Sequence, residues 1–156
     1  MSIHEGAEAQ KVKSGSFNLV LKTLLSSKTP AVTVAEIVDS KNIIFIDCRE
    51  KREYDVSHIF QALRVGYEDF DISRVNNLSK DTRIVAYCSI GKRSENITRK
   101  LIAAGFSNAV NLYGGIFEWV NEGNPVYDNR ESRTTRVHAY GKFWGKFLDK
   151  GEKIYD

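Results

Sequence analysis

Two nearly unbroken apolar runs, Ile43-Ile44-Phe45-Ile46 and Ile84-Val85-Ala86-Tyr87, constrain this chain more than any other feature. A strand without polar alternation has no face to offer water. Both of its faces must be covered, which is the condition of strands in a sheet flanked by helices. Helical patterns separate the runs. Residues 94–104 place Ile97, Leu101 and Ile102 on one face and Glu95, Arg99 and Lys100 on the other, and the pattern stops at Gly105. Residues 62–65 and 109–112 predict two more strands, and 32–34 a short one followed by a helical turn over 35–39. Gly114-Gly115 turns into a last helix over 116–121, stopped by Gly123 and Pro125. Such alternation of strand and helix predicts an α/β domain of three layers.

The flanks carry different signals. Residues 1–15 are small and polar and are expected to be flexible. Phe17, Val20, Leu21, Leu24 and Leu25 fall at helical spacing, which predicts an extra amphipathic helix over 16–26. Residues 49–58 read as a polar segment, and 68–78 as a short helix bearing Phe70, Ile72, Val75 and Leu78. Beyond residue 127 the composition shifts: Arg130, Arg133, Arg136, Lys142, Lys146, Lys150 and Lys153 accompany Tyr140, Phe143, Trp144, Phe147 and Tyr155. The spacing of Phe143, Trp144 and Phe147 predicts a basic amphipathic helix whose apolar face needs cover. That cover is either its own domain or, through residues 131–156, a second copy of the chain or a protein acceptor.

A length of 156 residues suits one domain with a proper core. Two cysteines do not make a disulfide framework, so a reducing, cytoplasmic setting is expected. No apolar run approaches a membrane span, and the start lacks the basic-then-apolar pattern of a signal peptide. A net charge of +3 favours small anions without arguing for nucleic acid. No Cys/His cluster has metal-site spacing and no glycine-rich phosphate loop is present, so neither metal nor cofactor is expected.

The chemistry concentrates at Cys88-Ser89-Ile90-Gly91-Lys92-Arg93-Ser94, where an apolar strand ends and a helix begins. Loop amides and the positive end of a helix converge at such a junction, where they favour a bound anion or a thiolate and make the sulfur nucleophilic. Lys92 and Arg93 add charge in the same turn. Cys48, emerging from an apolar strand, reads instead as core.

With these residues in place, the chain resembles the single-domain rhodaneses, a family of sulfurtransferases. Three stretches carry the resemblance: Asp47-Cys48-Arg49-Glu50 with Glu53-Tyr54, Ser57-His58-Ile59 and Ala62; the loop from Cys88 to Ser94; and Leu112-Tyr113-Gly114-Gly115 with Trp119, Gly123, Pro125 and Val126. Ser57, Gln61 and Gly66 depart from the family's usual glycine, glycine and proline. The resemblance implies a rhodanese-like α/β/α domain over 16–127 with a mostly parallel five-stranded sheet, and 128–156 as an extension outside it. It also implies transfer of sulfane sulfur from a small anionic donor such as thiosulfate to a thiol or cyanide, through a persulfide on Cys88. Ser89, Ile90, Gly91, Lys92, Arg93 and Ser94 would form the substrate loop. In it Arg93 would orient the donor or shape the loop, Lys92 would face solvent, and Ser94 would cap the helix. Asp47, near the rim, would pair with Arg49 or Arg93, and His58 would bond to Glu53. The rival reading on a cysteine loop is a phosphatase or arsenate reductase. Those enzymes need five residues between cysteine and arginine, and here only Ser89, Ile90, Gly91 and Lys92 intervene. A persulfide carrier docking a partner through the tail is the other alternative.

Overall fold

A computed structural model describes residues 10–156. The chain runs through α1 (Gly15–Leu24), β1 (Ala31–Val32), α2 (Val34–Ile37), β2 (Ile43–Asp47), α3 (Lys51–Val56) and β3 (Leu63–Arg64). After a 3-10 turn at Ile72–Val75 come β4 (Arg83–Tyr87), α4 (Lys92–Ala103), β5 (Ala109–Leu112) and α5 (Gly115–Asn121). The C-terminal part adds β6 (Val126–Tyr127), β7 (Arg133–Thr134), β8 (Arg136–His138), α6 (Lys142–Gly145) and β9 (Glu152–Ile154).

The central sheet has the order β1-β5-β4-β2-β3, and every pairing in it is parallel. Successive residues of a strand face opposite sides, so β4 divides its side chains between two cores. Val85 and Tyr87 join Phe17, Leu21, Ile37, Ile116 and Phe117 on the side of α1, α2 and α5. Ile84 and Ala86 join Ile46, Ile97, Leu101 and Phe106 on the side of α4. The expected three-layer α/β/α domain with five strands is present. Asp47 stands opposite Tyr87 in the β2–β4 register, so both strands end at one level and release their loops on the same edge.

Several elements differ from expectation, each for a local reason. Thr33 leaves the sheet: its hydroxyl accepts the Glu36 N–H while the Glu36 carboxylate accepts the Thr33 N–H, so α2 starts early. The polar segment 49–58, given no element from the sequence, contains α3. There Lys51-Arg52-Glu53-Tyr54-Asp55-Val56 lacks an apolar stripe, but Glu50 and Glu53 close the first turn reciprocally. The helix expected over 68–78 is a single 3-10 turn, capped by Asp71. Residues 1–9 of the segment expected to be flexible lie outside the described residues. Within residues 10–15 Val12 is buried in the larger core, and the Lys13 N–H donates to Glu118 Oε2 at 2.9 Å.

The tail folds back on its own domain. Val137, Ala139 and Leu148 are part of the larger core, and Phe147 stacks on Phe17 of α1 with ring centroids 5.1 Å apart. Burying such side chains is worth roughly 1.5–3 kcal/mol each. The amphipathic helix expected there is only one turn. The Tyr155 hydroxyl packs over Gly145, where a Cβ would have to displace it, and Asn121 Oδ1 takes the N–H groups of Asp149 and Lys150, at 2.7 and 3.3 Å, to end the segment. β8 then pairs with β9 in parallel. Among the described residues no helix is long and apolar enough to cross a membrane.

Burial, with help from the neighbouring Glu122, pushes the Glu118 carboxyl up to about 7. A carboxyl whose folded value is raised contributes most below its unfolded value and loses that contribution as pH rises through the folded value. Urea midpoints should therefore fall for the wild type between pH 5 and pH 8, by an amount on the order of 1 kcal/mol in stability. Glu118→Gln should remove most of that decline, and an equal decline in the variant would refute the assignment.

Candidate active site

Strand β4 delivers Cys88 into a loop that must reverse within three residues before α4 begins. Gly91 makes the turn: it sits at φ +117 in the left-handed region, where it takes the N-cap position. The turn aims backbone donors at the sulfur. The Gly91 N–H lies 3.2 Å from Cys88 Sγ and the Ser94 N–H 3.5 Å. The Ser94 hydroxyl is 3.3 Å from Sγ and 2.6 Å from Asn111 Oδ1. Because Asn111 Nδ2 donates to Gly91 O at 2.9 Å, its Oδ1 is the accepting end, and a thiolate on Cys88 would compete with it for one hydroxyl proton. The positive end of the 12-residue α4 adds to these donors.

Helix α5 holds the other side of the loop. Ile116 N–H donates to the Cys88 carbonyl at 2.9 Å and Phe117 N–H to the Ser89 carbonyl at 3.1 Å. This approach requires Gly115, since a Cβ there would lie 2.5 Å from both carbonyl oxygens. With these carbonyls turned toward α5, the Gly91 and Ser94 amides remain to face the sulfur.

Side chains fix the loop from α3 and α1. Arg93 forms a two-pronged ion pair with Glu53, at 2.7 and 2.8 Å, and donates to Ser89 Oγ at 3.0 Å. Burial alone would raise the Glu53 carboxyl, but the hydrogen bonds and charge of Arg93, together with the charge of Arg49, bring it down to about 2. Lys92 Nζ donates to Leu24 O at 3.1 Å and to Glu95 Oε1 at 3.3 Å, while Glu95 Oε2 takes the Ser26 N–H at 2.8 Å.

A cavity of about 170 Å³ opens over Cys88. Its floor is the loop, through Ser89, Ile90, Lys92 and Arg93, and its walls are Leu24 of α1 and Tyr140 and Trp144 of the tail. Tyr140 adopts φ +67, uncommon for a residue with a side chain. Its N–H donates to His138 Nδ1 at 3.1 Å, so the ring carries its proton on Nε2, which donates to Asp156 Oδ1 at 2.7 Å. The Arg93 guanidinium rests 4.9 Å from the centre of the Tyr140 ring.

The comparisons with known proteins meet this geometry. Residues 30–122 match the rhodanese-like domain family. The chain belongs to that family. It is 30% identical over 90 residues to a sulfurtransferase of Allochromatium vinosum, covering 58% of this chain and 83% of that protein. It is 32% identical over 135 residues to a tRNA uridine(34) hydroxylase of Buchnera aphidicola subsp. Acyrthosiphon pisum, covering 74% of this chain and 42% of that one. This chain spans only 28% to 42% of the tRNA uridine(34) hydroxylases it matches. Among solved structures, the rhodanese-like domain of an Anabaena sp. protein superimposes with a TM-score of 0.54 at 27% identity, over 65% of this chain and 76% of that one.

In this rhodanese-like domain Cys88 to Ser94 come together around one sulfur, whereas Asp47 and Arg49 do not reach the cavity. Both are wholly buried and paired at 2.7 Å, and Arg49 also donates to Ser57 O at 2.7 Å, so they anchor the end of α3. Arg93 therefore pairs with Glu53, not Asp47. His58 does not bond to Glu53; it stacks on Tyr54, and its Nδ1 meets Tyr54 O at 2.9 Å. Ser94 is not the helix cap but a partner of the sulfur, and Lys92 is tied to Leu24 and Glu95 as well as half exposed to solvent. Cys48 is core, its thiol pushed up by burial and by Cys88. Among the described residues no group of three or more His, Cys, Asp or Glu could hold a metal ion.

Glu53, Asn111, Tyr140 and Trp144 enter the site without having been picked from the sequence. Asn111 had a signal, as a polar residue inside the apolar strand Ala109-Val110-Asn111-Leu112. Glu53 stood in the first stretch of the resemblance, but as a partner for His58 and not for Arg93. Replacing Glu53 by Gln should lower stability at neutral pH by about 3 kcal/mol, because Arg93 is left buried without its counter-charge. A lowered carboxyl stabilises above its unfolded value, so the gap between wild type and variant should narrow as pH falls from 4.5 toward 2. Equal urea midpoints at pH 7 would show that the pair does not hold the loop.

Proposed function

We propose that the protein is a sulfurtransferase in which Cys88 carries sulfane sulfur from an anionic donor to a thiol or to cyanide. The Cys88 thiolate attacks the outer sulfur of a donor such as thiosulfate, whose S–S bond breaks to release sulfite. The acceptor then attacks the outer sulfur of the Cys88 persulfide, and the thiolate leaves. The observation that carries this reading is the cradle around Sγ, with two backbone N–H groups and one hydroxyl at a helix terminus, open to a cavity. Donors of that kind stabilise a sulfur anion in both the thiolate and the persulfide state. The four residues between Cys88 and Arg93 leave a smaller ring than an arriving phosphate needs, which favours sulfur over phosphoryl chemistry. The packing of the tail into the core favours an enzyme that completes its own pocket over a carrier whose tail is reserved for a partner.

A second reading, action on a tRNA uridine, is favoured by the reach of the similarity to the named hydroxylases, which covers 74% of this chain in one of them. Binding of a tRNA transcript at physiological salt, read by gel shift, separates that reading from the first.

Intact mass after incubation with a sulfane-sulfur donor tests the main proposal. Wild type should gain one sulfur atom that cyanide removes, and Cys88→Ser should gain none. A wild-type protein that alkylates at Cys88 yet takes sulfur from no donor would falsify it.

A further inference from the structure

The cavity over Cys88 does not match a dianion such as thiosulfate. Both cations of the loop are already committed. The charge of Arg93 is met by a bidentate Glu53 and that of Lys92 by the buried Glu95. An entering anion is left with backbone donors and the partial charge of a helix terminus, about half an elementary charge. That offsets the Cys88 thiolate, and each charge the donor adds enters without a counter-ion of its own, so a monoanion is accommodated at lower cost than a dianion. The rest of the lining is apolar. Leu24, Ile90, Tyr140 and Trp144 face the space, and Phe143 meets Trp144 edge-on at 4.9 Å to back that wall. The volume of about 170 Å³ is also informative, since a void of about 150 Å³ is enough for a benzene ring.

We propose, resting on the sulfur-transfer reading, that the donor is an organic sulfane-sulfur monoanion bearing a ring-sized apolar group, and that Trp144 and Tyr140 select it. The terminal sulfur lies at the Gly91 and Ser94 amides and the organic group lies between Leu24 and Trp144. For a thiosulfonate, R–SO2–S⁻, the Cys88 thiolate forms a bond to the terminal sulfur. The bond between the two donor sulfurs breaks, and its electron pair leaves on the sulfinate, R–SO2⁻. The products are the Cys88 persulfide anion and the sulfinate. Charge and electrons balance without an outside oxidant.

The test is the rate of Cys88 persulfidation in the full chain with benzenethiosulfonate, methanethiosulfonate and thiosulfate. Each rate is divided by that of a small free thiol, to remove intrinsic reactivity. Benzenethiosulfonate should exceed each of the other two by at least about tenfold. Trp144→Ala should bring the benzene-to-methane ratio within about threefold, and Trp144→Phe should keep most of it. Leu24→Ala, on a different element, gives the same readout should Trp144→Ala fail to fold. Thiosulfate reacting as fast as benzenethiosulfonate would overturn the proposal, as would a ratio that none of these substitutions moves. If no donor adds sulfur although iodoacetamide alkylates Cys88, the sulfur-transfer reading itself fails and takes this inference with it.

Discussion

The ion pair between Arg93 and Glu53 joins α3, the cysteine loop, the start of α4 and, through the Tyr140 ring, the tail. Glu53 stands on α3 and Arg93 in the first turn of α4, so their two parallel bonds set the distance between the layers that flank the loop. Each of these groups would cost several kcal/mol to take out of water alone. The remaining valences are therefore filled: Glu53 also takes the Glu50 N–H at 2.9 Å, and Arg93 reaches Ser89 and lies against the Tyr140 ring. A bidentate guanidinium fixes direction as well as distance. The curvature of the segment from Ser89 to Arg93 follows, and with it the convergence of the Gly91 and Ser94 amides on Sγ. The same pairing consumes the charge of Arg93. A residue that in isolation suggests anion capture acts here to hold backbone donors in place.

The two ends of the chain complete what the central domain leaves open. Helix α1 brings Leu24 to one wall, and its terminal carbonyl is tied to Lys92. The tail brings Tyr140 and Trp144 to the other wall. Phe17 and Phe147 stack across the join, so the walls support each other as well as the core. The backbone of Tyr140 is held in a conformation that costs on the order of 1–2 kcal/mol for a residue with a Cβ. The chain from its N–H through His138 to Asp156, with Arg52 3.0 Å beyond, is what keeps it there. Strain retained beside the nucleophile points to a side chain needed in one position.

What could be read from the sequence divides by the range of the interaction. The strands at Ile43–Asp47 and Arg83–Tyr87 and the helix after Cys88 are set by apolar period and by burial on both faces, which are local in sequence. The cysteine loop is legible for the same reason, since Gly91 and Cys88 lie three residues apart. The charge that Arg93 meets comes from 40 residues away at Glu53, and the carbonyl that Lys92 meets from 68 at Leu24, while Glu95 lies three residues from Lys92. Glu95 looked like part of a solvated face because its helical position is polar. The end of α1, whose Ser26 N–H it accepts, covers that position, and nothing near Glu95 in sequence announces it. The tail was misjudged in form for a similar reason. Its aromatics have helical spacing, yet three separate tertiary contacts, to Asn121, Phe17 and Tyr155, decide its shape.

The division also bears on how the site works. Among the described residues, the groups that donate to Sγ are two backbone N–H groups and the short side chain of Ser94, and all lie within six residues of Cys88. Such a cradle recognises a sulfur anion and is indifferent to what the sulfur arrived on. On the proposed reading, discrimination among donors falls to apolar groups farther out, and beyond Ile90 of the loop there remain Leu24, Tyr140 and Trp144. These belong to elements outside residues 30–122, the part shared with the family. On that reading, the family's segment supplies the reaction and the segments outside it supply the choice of substrate. Changing Leu24 or Trp144 should, on the same reading, redirect the enzyme without disabling its nucleophile, because neither side chain holds the loop, whereas the Tyr140 ring lies against Arg93.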